Sequence, residues 1–352
     1  MSPASLSRAP LTRAMLRDAT IEDFPVLDMA DYVAGRPGAR ERLAETLGHA
    51  CENVGFMVVI NHGVDQQQID GMFAWAARFH ALPLDEKLRL AMGQNFVGYL
   101  PANAFVIKTS DLAQNRRPEL NEAFFMDRDR TADDPEVLAG KLFRELNKWP
   151  DNLPGFRAAA MAYYHRMEAF SASLLPIFAT ALGLAPHWFD DSFIGAQATL
   201  RLTHYPASEN PDPEQFGISA HTDSNFLTVL PQSAVEGLFV RPAGHDWMKA
   251  PNIPGAFVIN CGDACKRWTN ERFRSTEHLA INPMPDRSRY AIPFFYAPHC
   301  AVPMRHISTC IGPDNPPRYP EASYGEHRLW FMRNNYQRPA EAPMEAPMEA
   351  AR

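Results

Sequence analysis

Short apolar segments separated by turn residues fill the stretch between residues 184 and 303 of this 352-residue chain. Each segment has the length of a β-strand, and the segments are spaced about 10–15 residues apart: ATLRLTHY, FLTVLPQ, GLFVRP, GAFVIN, RSTEHLAIN and YAIPFFYAP. Short strands at this spacing are typical of antiparallel sandwiches and barrels. The pattern predicts a mainly β protein with a double-stranded β-helix, or jelly roll, as its core.

Helical and mixed segments flank the predicted core on both sides. Apolar residues at helical spacing predict helices, and β-branched runs that end in turn residues predict strands. The predicted elements are a short strand within 21–35, a helix over Ala39–Asn53, a strand over Phe56–Ile60, a helix over Gln66–Leu82, a long helix over Pro154–Leu184 that is interrupted or kinked near Pro176, and a closing helix over Tyr324–Tyr336. We therefore expect an N-terminal α/β extension and a C-terminal helix around the jelly roll.

This pattern divides the chain into four regions. Residues 1–20 are expected to be a flexible arm, 21–150 the mixed N-terminal region, 151–337 the long helix with the jelly roll and closing helix, and 338–352 a disordered tail. The tail repeats Glu-Ala-Pro-Met and offers little apolar surface to bury.

Charge and cysteine content limit the possible partners. The formal net charge is −7 and the pI about 5.9, so no positive field attracts nucleic acid or anionic lipid. The chain has no run of roughly 20 apolar residues and no apolar secretion signal at its start. Its five cysteines are too sparse for a disulfide scaffold. We expect a cytoplasmic monomer or weak homo-oligomer that binds a small molecule and neither nucleic acid nor membrane.

A pair of metal-binding side chains stands at the start of one predicted strand. His221 and Asp223 are two residues apart in HTDSNFLTVL, and side chains at this spacing on a strand point to the same face. A His-x-acid pair alone is weak evidence, because about one is expected by chance in a chain of this composition. A third ligand is needed.

His278 in STEHLAIN is the candidate third ligand, because strands distant in sequence become neighbours in a jelly roll. Two histidines and one aspartate leave open positions on a non-haem Fe(II) ion, as in oxygenases. A catalytic zinc with the same ligands is the alternative. A hydrogen-bonded core histidine is the structural alternative for His278.

Arg289 begins the otherwise apolar segment RYAIPFF. A buried guanidinium requires an anion, and a dicarboxylate would satisfy it through a bidentate pair. The alternative is a surface arginine at the end of a strand.

The same segments resemble a known family. HTDSNFLTVL, GLFV, GAFVINCGDACKRWTNERFRSTEHLAIN and RYAIPFFYAP resemble the sheet of the isopenicillin-N-synthase-like superfamily of Fe(II)- and 2-oxoglutarate-dependent oxygenases. FPVLDMADY, GFMVVINHGV, LPLDEKLRL, GYLP and WPDNLPGFR resemble its N-terminal region and the start of its long helix. The resemblance covers roughly residues 23–336, in the expected order.

The resemblance implies roles for particular residues. His221, Asp223 and His278 would ligate iron, and Arg289 would hold the distal carboxylate of 2-oxoglutarate with help from Tyr205. The chain departs from the family pattern at three positions. The usual serine two residues after the arginine is Ala291, the usual asparagine in RLTHYP is Thr203, a candidate cosubstrate contact, and the usual arginine after the distal histidine is Leu279.

Five further residues are candidates for substrate contact. By the resemblance, NEAFF would line the pocket through Asn121 and Phe125, and Phe105 and Tyr99 belong to the same group. Trp268 is a candidate for the mouth of the barrel, with core packing as its alternative. No catalytic residue is expected beyond the metal ligands.

The expected activity is oxidation of a small molecule by Fe(II), O2 and 2-oxoglutarate, with release of succinate and CO2. Hydroxylation is the expected outcome, although desaturation, cyclisation and ethylene formation start from the same site. Three alternatives stay open: an iron oxidase that needs no 2-oxoglutarate, a zinc-dependent hydrolase, and a small-molecule binding protein without turnover.

Overall fold

Two β-sheets form the centre of the protein in the computed structural model, which describes residues 17–18, 24–108, 117–209 and 215–336. The strands in chain order are β1 Arg17–Asp18, β2 Val26–Asp28, β3 Phe56–Ile60, β4 Gly98–Leu100, β5 Glu122–Asp127, β6 Gln197–Tyr205, β7 Ile218–His221, β8 Leu227–Pro231, β9 Leu238–Arg241, β10 Met248–Lys249, β11 Phe257–Cys261, β12 Glu277–Ala280, β13 Arg289–Ala291 and β14 Phe294–Ala297.

The smaller sheet has the order β1-β10-β9-β12-β7, and the larger has the order β2-β3-β11-β8-β14-β6-β5-β4 with β13 also paired to β6. Neighbouring strands are antiparallel except for the pairs β1/β10 and β2/β3. The predicted mainly β fold with a jelly-roll core and flanking helices is confirmed.

The alternating residues of strand β6 determine which side chains face the core and which face the inside of the barrel. Ala198, Leu200 and Leu202 belong to the main hydrophobic core. The alternate residues Arg201 and Thr203 line internal cavities, because successive side chains on a strand point to opposite faces. The barrel interior is therefore polar at its centre, and the outer face of this strand is apolar.

Eight helices surround the sheets in the described parts of the chain: α1 Ala30–Val33, α2 Ala39–Asn53, α3 Gln66–His80, α4 Leu84–Arg89, α5 Pro135–Leu138, α6 Phe156–Ala181, α7 Asp263–Trp268 and α8 Tyr324–Asn335. The long helix α6 packs against α2, α3 and the larger sheet. It continues through Pro176, where an interruption or kink was expected.

Helix α8 closes one end of the barrel. A capping box fixes its start: Ser323 Oγ accepts a hydrogen bond from the Glu326 amide, and the Glu326 carboxylate accepts one from the Ser323 amide. Phe331 and Met332 of α8 pack in a hydrophobic cluster with Phe125 of β5.

One detail of the sheet differs from the sequence-based expectation. YAIPFFYAP forms two strands, β13 and β14, because Pro293 lacks the amide hydrogen that an unbroken ladder needs. After β11, Asp263 begins the short helix α7, where a carboxylate is favourable at the helix N-terminus.

The ends of the chain are described only in part. Within the predicted N-terminal arm, Arg17 and Asp18 pair with Met248 and Lys249, and residues 1–16 lie outside the described residues. The predicted tail at 338–352 also lies outside them.

Candidate metal centre and adjoining cavities

Two neighbouring strands bring His221 and His278 together. His221 is the last residue of β7 and pairs directly with His278 in β12. Asp223 lies two residues beyond the end of β7, so it reaches the same point from a turn rather than from the strand itself. The Asp223 Oδ1 atom is 3.8 Å from Nε2 of His221 and 3.7 Å from Nε2 of His278.

Hydrogen bonds orient all three side chains. Nδ1 of His221 faces the Ser219 carbonyl at 2.8 Å, and Nδ1 of His278 faces the Thr276 carbonyl at 3.1 Å. A ring that donates from Nδ1 keeps Nε2 free to bind a metal. The second oxygen of Asp223 accepts hydrogen bonds from Thr228 Oγ1 and Asn260 Nδ2, at 2.6 and 2.9 Å.

The surroundings of His221 and Asp223 keep these two side chains in the protonation states that metal binding requires. Burial, followed by the charge of the facing His278, lowers the pKa of His221 to about 3. Burial raises the pKa of Asp223, but the two imidazoles and the hydrogen bonds from Asn260 and Thr228 outweigh it, and the net pKa is lowered. A neutral imidazole and an ionised carboxylate are the ligand forms.

A second cluster of possible ligands has its carboxylate paired with a lysine of the chain. It consists of His80, Glu122 and His204, but the Lys87 ammonium lies 2.8 Å from the Glu122 carboxylate and donates a hydrogen bond to it. Tyr99 donates a further bond to the same carboxylate oxygen. The ammonium of Lys87 therefore already supplies a positive charge to this carboxylate.

An inner cavity of about 510 Å³ adjoins His221, Asp223 and His278 and contains Arg289. Arg289 is 4% exposed, and its Nε and Nη1 atoms have no hydrogen-bond partner. Burial lowers its pKa. A buried guanidinium with two free N–H groups facing a cavity is suited to bind a carboxylate in bidentate fashion, so the chain's own donors fit both an iron ion and a dicarboxylate.

Strand pairing places the remaining predicted cosubstrate residues beside Arg289. Tyr205 is its cross-strand partner in β6, and Ala291 pairs with Thr203. The guanidinium carbon of Arg289 lies 4.7 Å from the centre of the Tyr205 ring. All four side chains line the inner cavity.

An outer cavity also borders the candidate ligands and shares His221, Asp223, Arg201 and Phe295 with the inner one. Its wall is largely aromatic and comes from β5, β6 and the end of the chain: Phe125, Thr199, Tyr324, Arg328, Phe331, Met332 and Tyr336. The candidate metal centre therefore borders two adjoining cavities.

The predicted substrate residues take different positions. Phe125 lines the outer cavity. Asn121 lies behind the wall and accepts a hydrogen bond from Arg201 Nη2 at 2.7 Å. Phe105 packs on Tyr336, with ring centres 4.9 Å apart.

The structure places Tyr99 and Trp268 away from both cavities. Tyr99 packs in the main core, where its hydroxyl bonds to Glu122. Trp268 is 2% exposed and packs against Phe189 and Phe226. Neither residue is therefore assigned to substrate, because the apolar ring in each case is used for core packing.

Sequence reasoning missed Arg201 and Arg328 in the outer cavity. The alternation of β6 carries a signal for Arg201, since it lies two residues before Thr203 and shares its face. No comparable signal exists for Arg328, because the position of α8 over the barrel depends on tertiary packing.

Comparisons with known proteins agree with this geometry. Residues 196–298 match the model of the 2OG-Fe(II) oxygenase superfamily, and residues 24–152 match the N-terminal region model of the non-haem dioxygenases of morphine synthesis. The chain is 31% identical to the 2-oxoglutarate-Fe(II) type oxidoreductase hxnY of Emericella nidulans, over 84% of this chain and 85% of that protein. The chain belongs to the 2OG-Fe(II) oxygenase superfamily.

Two further relatives extend this result. The 2-oxoglutarate-dependent dioxygenase tropC of Talaromyces stipitatus is 30% identical over 87% of this chain and 93% of its own. A solved 2OG-Fe(II) oxygenase family protein from Caulobacter crescentus has a TM-score of 0.76 at 28% identity and covers 88% of this chain and 98% of its own. Enzymes of this superfamily use Fe(II), 2-oxoglutarate and O2.

The helices of the described residues include none that is long and apolar enough to cross a membrane.

Proposed function

We propose that this oxygenase hydroxylates a small molecule, with release of succinate and CO2, and that His221, Asp223 and His278 hold its iron. We assign Arg289, Tyr205 and Thr203 to 2-oxoglutarate. One observation carries the proposal: the three candidate ligands converge in the same buried cavity as a guanidinium with two unpaired N–H donors.

Fe(II) and 2-oxoglutarate, when bound, supply the oxidation of the substrate by O2, coupled to decarboxylation of the cosubstrate. The residues of the chain position these partners. Arg289 binds the distal carboxylate, and the face of the Tyr205 ring packs against its guanidinium in a cation–π contact. Thr228 and Asn260 hold the Asp223 carboxylate in one rotamer, so that its free oxygen faces both imidazoles.

The walls of the site exclude bulk water from the reaction. Phe295 lines both cavities, and Leu230 and Leu238 complete the inner one. Water exclusion protects a reactive oxidant and strengthens the electrostatic contacts inside.

We also propose that the enzyme acts in the cytoplasm as a monomer or weak homo-oligomer. The cysteines support the location: all five are free thiols, as is usual in a reducing compartment.

Single substitutions of the ligands test the proposed function. His221→Ala, Asp223→Ala and His278→Ala should each abolish stoichiometric iron binding and succinate formation while leaving the circular dichroism spectrum unchanged, because a three-ligand site has no spare protein ligand. His187→Ala is the matched control, since its imidazole is 81% exposed. Full iron occupancy and wild-type turnover in any of the three variants would remove that residue from the site.

A further inference from the structure

Arg201 lines both cavities as a buried cation that the proposed reaction does not use. It is 4% exposed. Its Nη2 donates to Asn121, and its guanidinium carbon lies 5.0 Å from the centre of the Phe125 ring. Its Nε has no hydrogen-bond partner. The side chain is thus held in place on one side and keeps donor capacity on the other.

Within the described parts of the chain, Arg201 has no carboxylate within 4.0 Å. Glu119 is an acidic group within electrostatic reach of Arg201, and it accepts hydrogen bonds from the amides of Ile107 and Ser219 and from the Ser219 hydroxyl. Burial raises the pKa of Glu119 to about 7, so this group is a weak counterion at neutral pH. An unpaired buried guanidinium is costly, and a bound anion would remove that cost.

The net charge of the site loaded with Fe(II) and 2-oxoglutarate also favours an anionic substrate, and this step rests on the proposed function. Bound Fe(II) is a dication and 2-oxoglutarate a dianion, and the charges of Asp223 and Arg289 cancel. The centre is then neutral, and the positive charge of Arg201 is left over beside the substrate space. One negative charge on the substrate would balance it.

Arg328 adds a second cation to the same wall. Its Nη2 donates to Thr199 Oγ1 at 3.0 Å and lies 4.0 Å from an oxygen of Asp127. Thr199 precedes Arg201 by two residues on β6, so Arg328 binds the same face of the strand that carries Arg201. Because Arg328 is already paired with Asp127 and Thr199, Arg201 is the guanidinium that offers a free donor.

Much of the remaining wall is apolar. Phe125, Phe295, Phe331, Met332 and Tyr336 form this part, beside the polar side chains of Thr199, Ser224 and Asn225. We propose that Arg201 binds a carboxylate of the substrate, so that the molecule oxidised is a monocarboxylic acid with an apolar, ring-sized body. Arg201 is then the residue that selects acids over their neutral analogues.

A carboxylate could also come from 2-oxoglutarate itself, through the group beside its keto carbon. The packing favours the substrate as the source. Phe125, on which the guanidinium of Arg201 rests, lines the outer cavity only. The experiment below separates the two sources.

The test measures binding rather than turnover, by calorimetry on the full chain loaded anaerobically with Fe(II) and 2-oxoglutarate. The probes are 3-phenylpropionate and its neutral isostere 3-phenylpropionamide. The wild type should bind the acid at least about tenfold more tightly, the lower end of what a hydrogen bond to a charged group provides. Arg201→Gln should abolish this preference, and Arg201→Lys should keep part of it. Arg89→Gln, at a side chain that is 78% exposed, should behave as wild type.

Three results would overturn the proposal. Equal affinity of the wild type for acid and amide would do so, as would no measurable binding of either. The third is an Arg201→Gln variant whose affinity for 2-oxoglutarate falls tenfold or more, since the carboxylate would then belong to the cosubstrate. If Arg201→Gln does not fold, the wild-type comparison and Arg201→Lys decide. If the proposed function itself is wrong, the wild type will not bind Fe(II) and 2-oxoglutarate together. The affinities for the acid and the amide can then still be compared on the unloaded protein.

Discussion

Thr228→Val should weaken metal binding although Thr228 is not a ligand. Its hydroxyl donates to Asp223 Oδ2 at 2.6 Å and accepts from Asn225 Nδ2 at 3.1 Å. Valine keeps the shape of the side chain and removes both bonds. Asn225 retains the Leu227 carbonyl as a partner, so the main loss falls on the Asp223 carboxylate.

The magnitude follows from the hydrogen bond that is lost. A hydrogen bond to a charged group contributes about 1.5–3 kcal/mol, and about 1.4 kcal/mol corresponds to a factor of ten in affinity. Asn260 still holds the same carboxylate oxygen, so the low end applies. We expect the dissociation constant for Fe(II) to rise about tenfold.

The assay is an anaerobic competition titration of Fe(II) against a chromogenic chelator. Thr269→Val is the control, because Thr269 is equally buried and its hydroxyl donates to the Cys265 carbonyl, away from the candidate ligands. The control should lower the melting temperature and leave the dissociation constant unchanged. A Thr228→Val protein that binds Fe(II) within twofold of wild type would refute the role given to this hydrogen bond.

Three more predictions concern cosubstrate and pH. Arg289→Ala should raise the Michaelis constant for 2-oxoglutarate far more than Arg287→Ala, because Arg287 is exposed; equal constants would contradict this assignment. Tyr205→Phe should raise the same constant strongly, and added Ala291→Ser should recover part of the loss; wild-type behaviour of Tyr205→Phe would remove it from the site. Burial lowers the pKa of His327 to about 4, from 6.5 in the unfolded chain. As the pH falls from 6.5 toward 4, the unfolded state takes up a proton that the folded state does not. The folded state therefore loses stability over this range, by at most about 3 kcal/mol. His327→Gln should flatten the fall in stability between pH 6.5 and 4 in denaturant titrations, and an unchanged slope would contradict the argument.

The fold was predictable where a local pattern reflects burial. The helix over Ala39–Asn53 and the strand over Phe56–Ile60 have the predicted bounds, because their apolar spacing matches the face that each buries. The path of α6 through Pro176 was not predictable from local preference alone. The packing of its apolar residues on the sheet compensates for one missing hydrogen bond.

The candidate site was likewise predictable only in part. His221 and Asp223 are close in sequence, and the strand pattern indicates that His278 can join them. Trp268 was a candidate because aromatic residues serve both pockets and cores, and its burial among core aromatics follows only from the tertiary structure. The outer cavity depends on where α8 crosses the barrel, which no local pattern in the sequence specifies.

Anaerobic titration of the metal-free protein with Fe(II) and then 2-oxoglutarate, followed by visible absorption spectroscopy, tests the central claim most directly. The account predicts a metal-to-ligand charge-transfer band that appears only when both are present, reaches saturation at one equivalent of iron, and is lost in Asp223→Ala and weakened in Arg289→Ala. A wild-type protein that binds Fe(II) without developing the band when 2-oxoglutarate is added would contradict it.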